Sequence, residues 1–310
     1  MNFPPYFTTT PMWSDFWMSA QSDLIDSFVL YDQRIFVWHG PLTSRFWYIP
    51  HLSISKKTEL NKLIALAKKQ GITWVSMECA ENFDIALLPP HREQPFKKLQ
   101  YNATITLDTS TFISAVNLEQ VYDQNYAYFL GWNATARRKL KKAMSYEWQV
   151  ATEKTPQALI DFLTIYHDTS ARQHFAVHPD SYYRALFLKP ESRIIVLKNP
   201  QGVVCGSWFG YVSQDTLTYL YGGNTAEALE HNGQYAIQLA ALNMVKYEHL
   251  RWYDLGGYEK NTGYGRFKEG FHGTMRQFAG PYDIVIDPLK YSLVITAKKI
   301  QRGVKKLWSR

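Results

Sequence analysis

Hydrophobic and polar positions along the chain change period several times, and each change marks an element. Residues 28–31 and 35–39 are short β-branched and aromatic runs separated by Asp32-Gln33-Arg34, which predicts a hairpin, and 46–49 is a third strand. From Thr58, read as an N-cap, the spacing turns helical. Leu60, Leu63, Ile64 and Ala67 share one face, and the helix runs to about Gln70 and closes at Gly71. Residues 72–78 form a buried strand, Pro89-Pro90 breaks the chain, and 103–107 is another strand. A region with Tyr122, Tyr126, Tyr128 and Phe129 leads into a helix over 133–144 that turns Leu140 and Ala143 inward.

The second half reads in a similar order. Thr155 caps a helix over 156–171, and 180–186 is a second, short one. Strands follow at 193–198, 203–212 and 217–221, the first two joined by the turn Asn199-Pro200-Gln201-Gly202. A helix over about 233–249 places Ile237, Ala240, Ala241, Met244 and Val245 at helical spacing. The strand 251–255 then stops at Gly256-Gly257, and an irregular segment with Asn261, Gly263 and Gly265 leads to Phe267-Lys268-Glu269-Gly270-Phe271. Residues 284–286 give a last strand and 289–310 a helical tail. At the other end, Trp13, Phe16 and Trp17 mark a short helix pinned to a core.

Composition narrows the class. With 310 residues, 46% apolar and 15% aromatic, there is enough for two packed domains. No run approaches the length that spans a bilayer, and residues 1–11 have neither the basic residue nor the apolar core of a secretory signal. Cys79 and Cys205 lie far apart, so a disulfide framework is not expected and a reducing cytoplasm fits. Charge is clustered: Arg137-Arg138-Lys139-Leu140-Lys141-Lys142 is one block and 298–310 another, within a net +7. A basic helix is either a solvated face or a surface for nucleic-acid phosphates, and both readings stay open. The tail mixes Leu293, Ile295, Ile300, Val304 and Leu307 with lysines and ends in Trp308. It either packs on the first domain or lies on an anionic membrane. Phosphate-binding glycine loops, metal-ligand spacings and nucleophile elbows are missing from the sequence, so neither metal nor cofactor is expected.

Tyr253-Asp254-Leu255-Gly256-Gly257 followed by Phe267-Lys268-x-x-Phe271 resembles the C-terminal signature of the FemABX peptidyltransferases. The resemblance implies an α/β (α+β) fold of two tandem GNAT-like domains, mixed sheets flanked by helices, the first over 1–150 plus 285–310 and the second over 151–284. It implies transfer of an amino acid from aminoacyl-tRNA to an amine of a lipid-linked or UDP-linked muropeptide, in the cytoplasm or peripherally at the inner face of the membrane. The chain lacks the coiled-coil arm of longer members. Lys268 and Phe267 fall at the catalytic pair, Tyr182 and Tyr221 at the acceptor channel, and Arg137, Arg138, Lys139, Lys141 and Lys142 on a tRNA-binding helix. Tyr235 belongs to a Tyr-Ala run at a helix start, among the substrate-binding positions. Two departures stand out. Members that hold a nucleotide diphosphate carry a lysine where this chain has Met18-Ser19-Ala20, and an arginine near His178. His178 and Arg172 are therefore the candidate phosphate contacts.

Two rivals remain. A CoA-dependent GNAT acyltransferase needs a pyrophosphate loop, and Glu230-His231-Asn232-Gly233-Gln234-Tyr235 keeps one of its three marked positions. A non-catalytic protein binding RNA or a membrane surface would need only the basic clusters.

Overall fold

A computed structural model of the chain describes residues 7–80, 83–93, 103–108, 132–271 and 273–308; the aromatic region at 122–129 lies outside them. In chain order the elements begin α1 (Pro11–Ala20), β1 (Leu24–Leu30), β2 (Gln33–His39), β3 (Arg45–Leu52), α2 (Lys57–Lys69), β4 (Trp74–Cys79), β5 (Arg92–Glu93) and β6 (Ala103–Asp108). They continue α3 (Ala134–Met144), β7 (Gln149–Thr152), α4 (Pro156–Gln173), α5 (Asp180–Phe187), β8 (Ser192–Lys198), β9 (Val204–Ser213) and β10 (Thr216–Asn224). The last are α6 (Ala226–Glu230), α7 (Gly233–Tyr247), β11 (Trp252–Tyr258), α8 (Gly263–Glu269), β12 (Thr274–Gln277), β13 (Gly280–Val285) and α9 (Pro288–Trp308).

Two compact units form, one of residues 5–102 with 277–310, the other of 103–276 with 1–4. The first holds a sheet ordered β1-β2-β3-β4-β13-β5, in which β3 and β4 are parallel and joined through α2. Tyr31 and Asp32, at φ 50° and 59°, make the β1–β2 turn. Such a two-residue turn matches the twist of the strands it joins. The expected turn at 32–34 is thus displaced, and Gln33 and Arg34 pair with Leu30 and Val29. α2 begins at Lys57 without a side-chain cap, so Thr58 lies inside the helix instead of capping it. Its end is as expected. Gly71 at φ 68° donates to the Lys68 carbonyl and Ile72 to that of Ala67, while Leu60, Leu63 and Ala67 are buried over the sheet's Val75 and Met77.

The second unit's sheet runs β7-β8-β9-β10-β11-β6-β12, with β10 and β11 parallel and joined through α6 and α7. Thr155 caps α4 as the sequence predicts, and its hydroxyl accepts from the Ala158 amide. The core is built on Leu140, Ile195, Leu197, Trp208, Leu217, Ile237, Val245 and Tyr253. Both cysteines are free and buried.

The two sheets share one wiring: a run of antiparallel strands (three in the first, four in the second), a helical crossover, then a parallel strand. Each takes the partner of that parallel strand from the far side of the chain. β6 follows the first unit's strands yet pairs with β11, and β13 follows the second unit's strands yet pairs with β4 along its whole length. This strand exchange moves the domain boundaries from the expected 150/151 and 284/285 to 102/103 and 276/277. Residues 132–150 also join the second unit, because α3 buries Ala136, Leu140 and Ala143 in its core.

Candidate functional site

The site arises where β10 and β11 part. They are in register only at Thr216↔Trp252, Leu217↔Tyr253 and Thr218↔Asp254. Beyond that point each bulges against its outer neighbour, β10 between Tyr219 and Tyr221 and β11 between Asp254 and Gly257. A bulge bends and twists its strand, and here it opens a cleft of about 1200 Å³.

Gly256 makes the second bulge feasible. Its φ is 73°, and a Cβ there would lie 2.8 Å from the Tyr219 carbonyl oxygen, so a side chain is excluded twice over. The buried Asp254 carboxylate fixes the bend by accepting from the Gly256 amide at 2.8 Å. β11 then runs on to Tyr258. The glycine pair bends the strand; it does not end it, and Gly222-Gly223 likewise lie inside β10.

The predicted irregular segment is the helix α8. Thr262 caps it, accepting from the Gly265 amide at 3.0 Å and donating to the Glu259 carbonyl at 2.7 Å. A Cβ at Gly265 would meet that same carbonyl at 1.9 Å, so glycine is required for the helix to start so close to β11. One turn on, Lys268 is 9% exposed and donates to the Gly257 carbonyl at 2.6 Å. Its ammonium lies 5.8 Å from the Tyr219 ring centre and 5.7 Å from that of Tyr264. Burial lowers its pKa from 10.5 to about 8, against the opposing pull of Asp254. The lysine is therefore cationic but weakly held at neutral pH. Two of its three donor directions are left for the cleft.

Phe267 packs edge-on against Tyr235 and Phe271, and Phe271 against Trp132. The Asn133 amide donates to the Gly270 carbonyl at 2.9 Å, which ties the start of the basic helix α3 to the end of α8. Lys139 lines the same cleft, 5.8 Å over the Tyr235 ring. Arg137 turns back to the Trp132 carbonyl and Lys142 reaches the Glu230 carbonyl, while Arg138 and Lys141 are exposed.

Tyr221 forms part of the cleft wall; Tyr182 and His178 stand behind it. The Tyr182 and Tyr221 hydroxyls are 3.0 Å apart, and the His178 ring stacks on Tyr182 at 4.0 Å. Desolvation lowers the His178 pKa, so it offers a phosphate a hydrogen bond more readily than a charge. Arg172 is on the cleft wall and its guanidinium donates to the Asn224 carbonyl. The cleft thus brings together Lys268, Phe267, Tyr221, Tyr235, Arg172 and Lys139. Tyr219, Tyr264 and Asp254 are additions that sequence reasoning left out, although Asp254 stands inside the quoted signature.

Fold and cleft together define a tandem GNAT-like protein with a buried amine at its strand opening. Residues 189–299 match the FemAB family. Among solved structures, FemX superposes with a TM-score of 0.70 at 13% identity, covering 93% of this chain and 94% of that one. L-PGS from Bacillus licheniformis gives 0.56 at 14%, covering 98% and 99%. A tandem GNAT protein from the clavulanic acid biosynthesis pathway gives 0.50 at 11%, covering 83% and 79%. At such identities the likeness is one of fold. No curated protein sequence matches significantly. Residues 189–299 are thus similar in sequence to the FemAB family, and the fold of the chain is similar to that of FemX.

Proposed function

We propose that the chain transfers an aminoacyl group from tRNA to an amine of a peptidoglycan precursor peptide. The family match and the FemX fold support peptidoglycan cross-bridge aminoacyl transfer at the level of the family. The observation that carries the proposal to this chain is the buried Lys268 ammonium at the mouth of the parted strands.

An aminoacyl ester needs no further activation. The acceptor amine attacks its carbonyl, a tetrahedral oxyanion forms, the bond to the ribose oxygen breaks, and the proton shed by the attacking nitrogen ends on that oxygen. Lys268 donates to the developing oxyanion or to the leaving ribose oxygen, in a site where desolvation strengthens each such contact. Gly257 holds the lysine in place. Tyr221, supported by Tyr182, forms part of the acceptor channel. Arg138 and Lys141, exposed on α3, meet tRNA phosphates, which position without reading sequence. The turn before α7 does not favour a CoA pyrophosphate. A Cβ on Gly233 would strike Leu197 and Trp148, and Tyr146 stacks on His231 at 3.9 Å, so packing already occupies that loop.

The test is transfer of label from a pool of charged tRNA to lipid-linked muropeptide, nucleotide-linked muropeptide and phosphatidylglycerol. The last is included because one neighbour is described as a lysylphosphatidylglycerol synthetase domain from Agrobacterium fabrum. Label on a muropeptide, abolished by ribonuclease, is the expected result. Label on the phospholipid alone overturns the peptidoglycan assignment. Absence of transfer with saturable acetyl-CoA binding overturns the tRNA reading. Either muropeptide would be met in the cytoplasm or at the inner face of its membrane.

A further inference from the structure

The last helix has two apolar faces, and among the described residues only one of them is packed. At 100° per residue, Tyr291, Val294, Ile295 and Lys298 share one side of α9. That side packs in the first unit: Tyr291 and Val294 are buried with Trp74, and the Lys298 ammonium lies 5.9 and 5.8 Å over the Phe46 and Trp74 rings. The Tyr291 hydroxyl also donates to the buried Asp283 carboxylate at 2.7 Å. The docked face expected from the sequence is therefore present.

Leu289, Leu293 and Ile300 fall within about 40° of one another on the opposite side. They are 75%, 53% and 62% exposed. Three large aliphatic side chains in line on a helix already anchored elsewhere are not explained by packing. The stripe is also extended by a second element. Lys290 donates to the Thr43 carbonyl at 3.1 Å, which sets the turn carrying Leu42, itself 56% exposed, beside the first turn of α9.

Charge identifies the occupant. Lys290 and Lys299 flank the stripe on its two sides; Lys290 is held by the Thr43 carbonyl, and the exposed Lys299 can bury its stem and lift its ammonium group to a phosphate layer. From 288 to 310 the sequence adds Arg302, Lys305, Lys306 and Arg310 and contains neither Asp nor Glu. The nearest acid is Asp287, which is occupied in capping the helix through the Lys290 amide. An RNA phosphate backbone would use the cations but leave the aliphatic stripe in water. A second copy of so basic a helix would be repelled. An anionic lipid surface uses both features.

We propose that α9 is a membrane-surface anchor, docked to the protein by its Tyr291–Val294 face and laid on anionic phospholipid by its Leu289–Leu293–Ile300 face, with Leu42 inserted beside it. The helix lies in the interface and does not cross it; no helix among the described residues is long and apolar enough to span. This inference goes beyond the transferase reading and does not depend on it, because its readout is lipid binding.

The experiment is flotation of the full chain with phosphatidylcholine vesicles with and without phosphatidylglycerol. Wild-type protein floats with the anionic vesicles, and high salt releases it. Leu293→Ser with Ile300→Ser lowers the partition coefficient about tenfold or more at an unchanged melting temperature. Lys299→Gln lowers it by about fivefold. Failure to float, or flotation that the Leu293→Ser/Ile300→Ser variant leaves intact, overturns the proposal. So does a dimer that the same double variant converts to monomer with vesicle binding unaffected, which would make the stripe an interface between copies. Because these substitutions lie on the exposed face, loss of binding with retained folding cannot be assigned to damage of the core.

Discussion

The two sheets share a wiring but treat their parallel pair in opposite ways. In the first unit β3 and β4 hold register for four pairs from Phe46↔Trp74 to Ile49↔Met77 and, after a register shift, pair again at Leu52↔Cys79, and buried side chains such as Ile49, Val75 and Met77 fill the space over them. In the second unit β10 and β11 hold register for three residue pairs and then part around polar and aromatic side chains. The same topology gives a closed sheet in one case and a cleft in the other. What separates them is local: a glycine at positive φ, a carboxylate that fixes it, and a bulge of each strand against its outer neighbour.

The largest expected effect comes from the amine in the cleft. Lys268→Ala lowers the transfer rate about 10²–10³-fold, and far-ultraviolet circular dichroism and the melting temperature remain close to wild type. Full activity in a folded variant would remove Lys268 from the mechanism. Next is the closed sheet, where Met77→Ala costs about 2–5 kcal/mol in denaturant unfolding but leaves the rate per folded molecule unchanged. A loss of rate without a loss of stability there would show that the closed sheet is catalytic as well. Gly256→Ala, at the bend that opens the cleft, costs about 1–3 kcal/mol. In contrast to Met77→Ala, it also lowers the rate of the remaining folded protein.

Acid–base behaviour sharpens the contrast further. Lys268 binds its proton less tightly when folded, so the cost of burying its charge is carried in full below about pH 8. Between about 8 and the ordinary 10.5 the unfolded chain holds the extra proton and stability rises with pH. Comparing wild type with Lys268→Met over that window isolates the effect, since the difference in unfolding free energy narrows as pH rises. Transfer moves the opposite way. With spontaneous ester hydrolysis subtracted, kcat/KM falls above about pH 8 in wild type, and this limb moves up in Lys268→Arg. The smallest effects belong to α3: Arg138→Ala and Lys141→Ala each weaken tRNA binding a few-fold and each flatten its salt dependence by about one ion.

Much of the architecture was legible because it rests on short-range patterns. The cap at Thr155, the inward face of α3 and the crossover helix α7 are written in consecutive residues. Three things were not. The path of β11 through Gly256-Gly257 depends on Tyr219 of the neighbouring strand, so the glycines read as a stop. α8 has only seven residues, two of the first three being glycine, so its propensity is poor and its cap decides it. The boundaries failed because β6 and β13 pair with partners on the far side of the chain, and no local pattern records that. For the site, the signature singled out Lys268 and Phe267 but gave Asp254 no role, whereas the aromatic pocket of Tyr219 and Tyr264 around the lysine is purely tertiary.

The exchange of strands has a consequence for synthesis. Ser76 on β4 bonds to Asp283 on β13, a partner 207 positions later. As the chain emerges from the ribosome, β1 to β4 and α2 are complete long before their edge is covered, and the side of β4 away from β3 waits unpaired until almost the whole polypeptide has been made. An exposed strand edge is a template for wrong pairing, and contacts this distant form slowly. The first unit can finish folding only after the second has been translated. Truncation anywhere before residue 280 therefore leaves the first sheet open at β4, although most of its sequence is present, and the nascent chain during that interval is a natural client for chaperones.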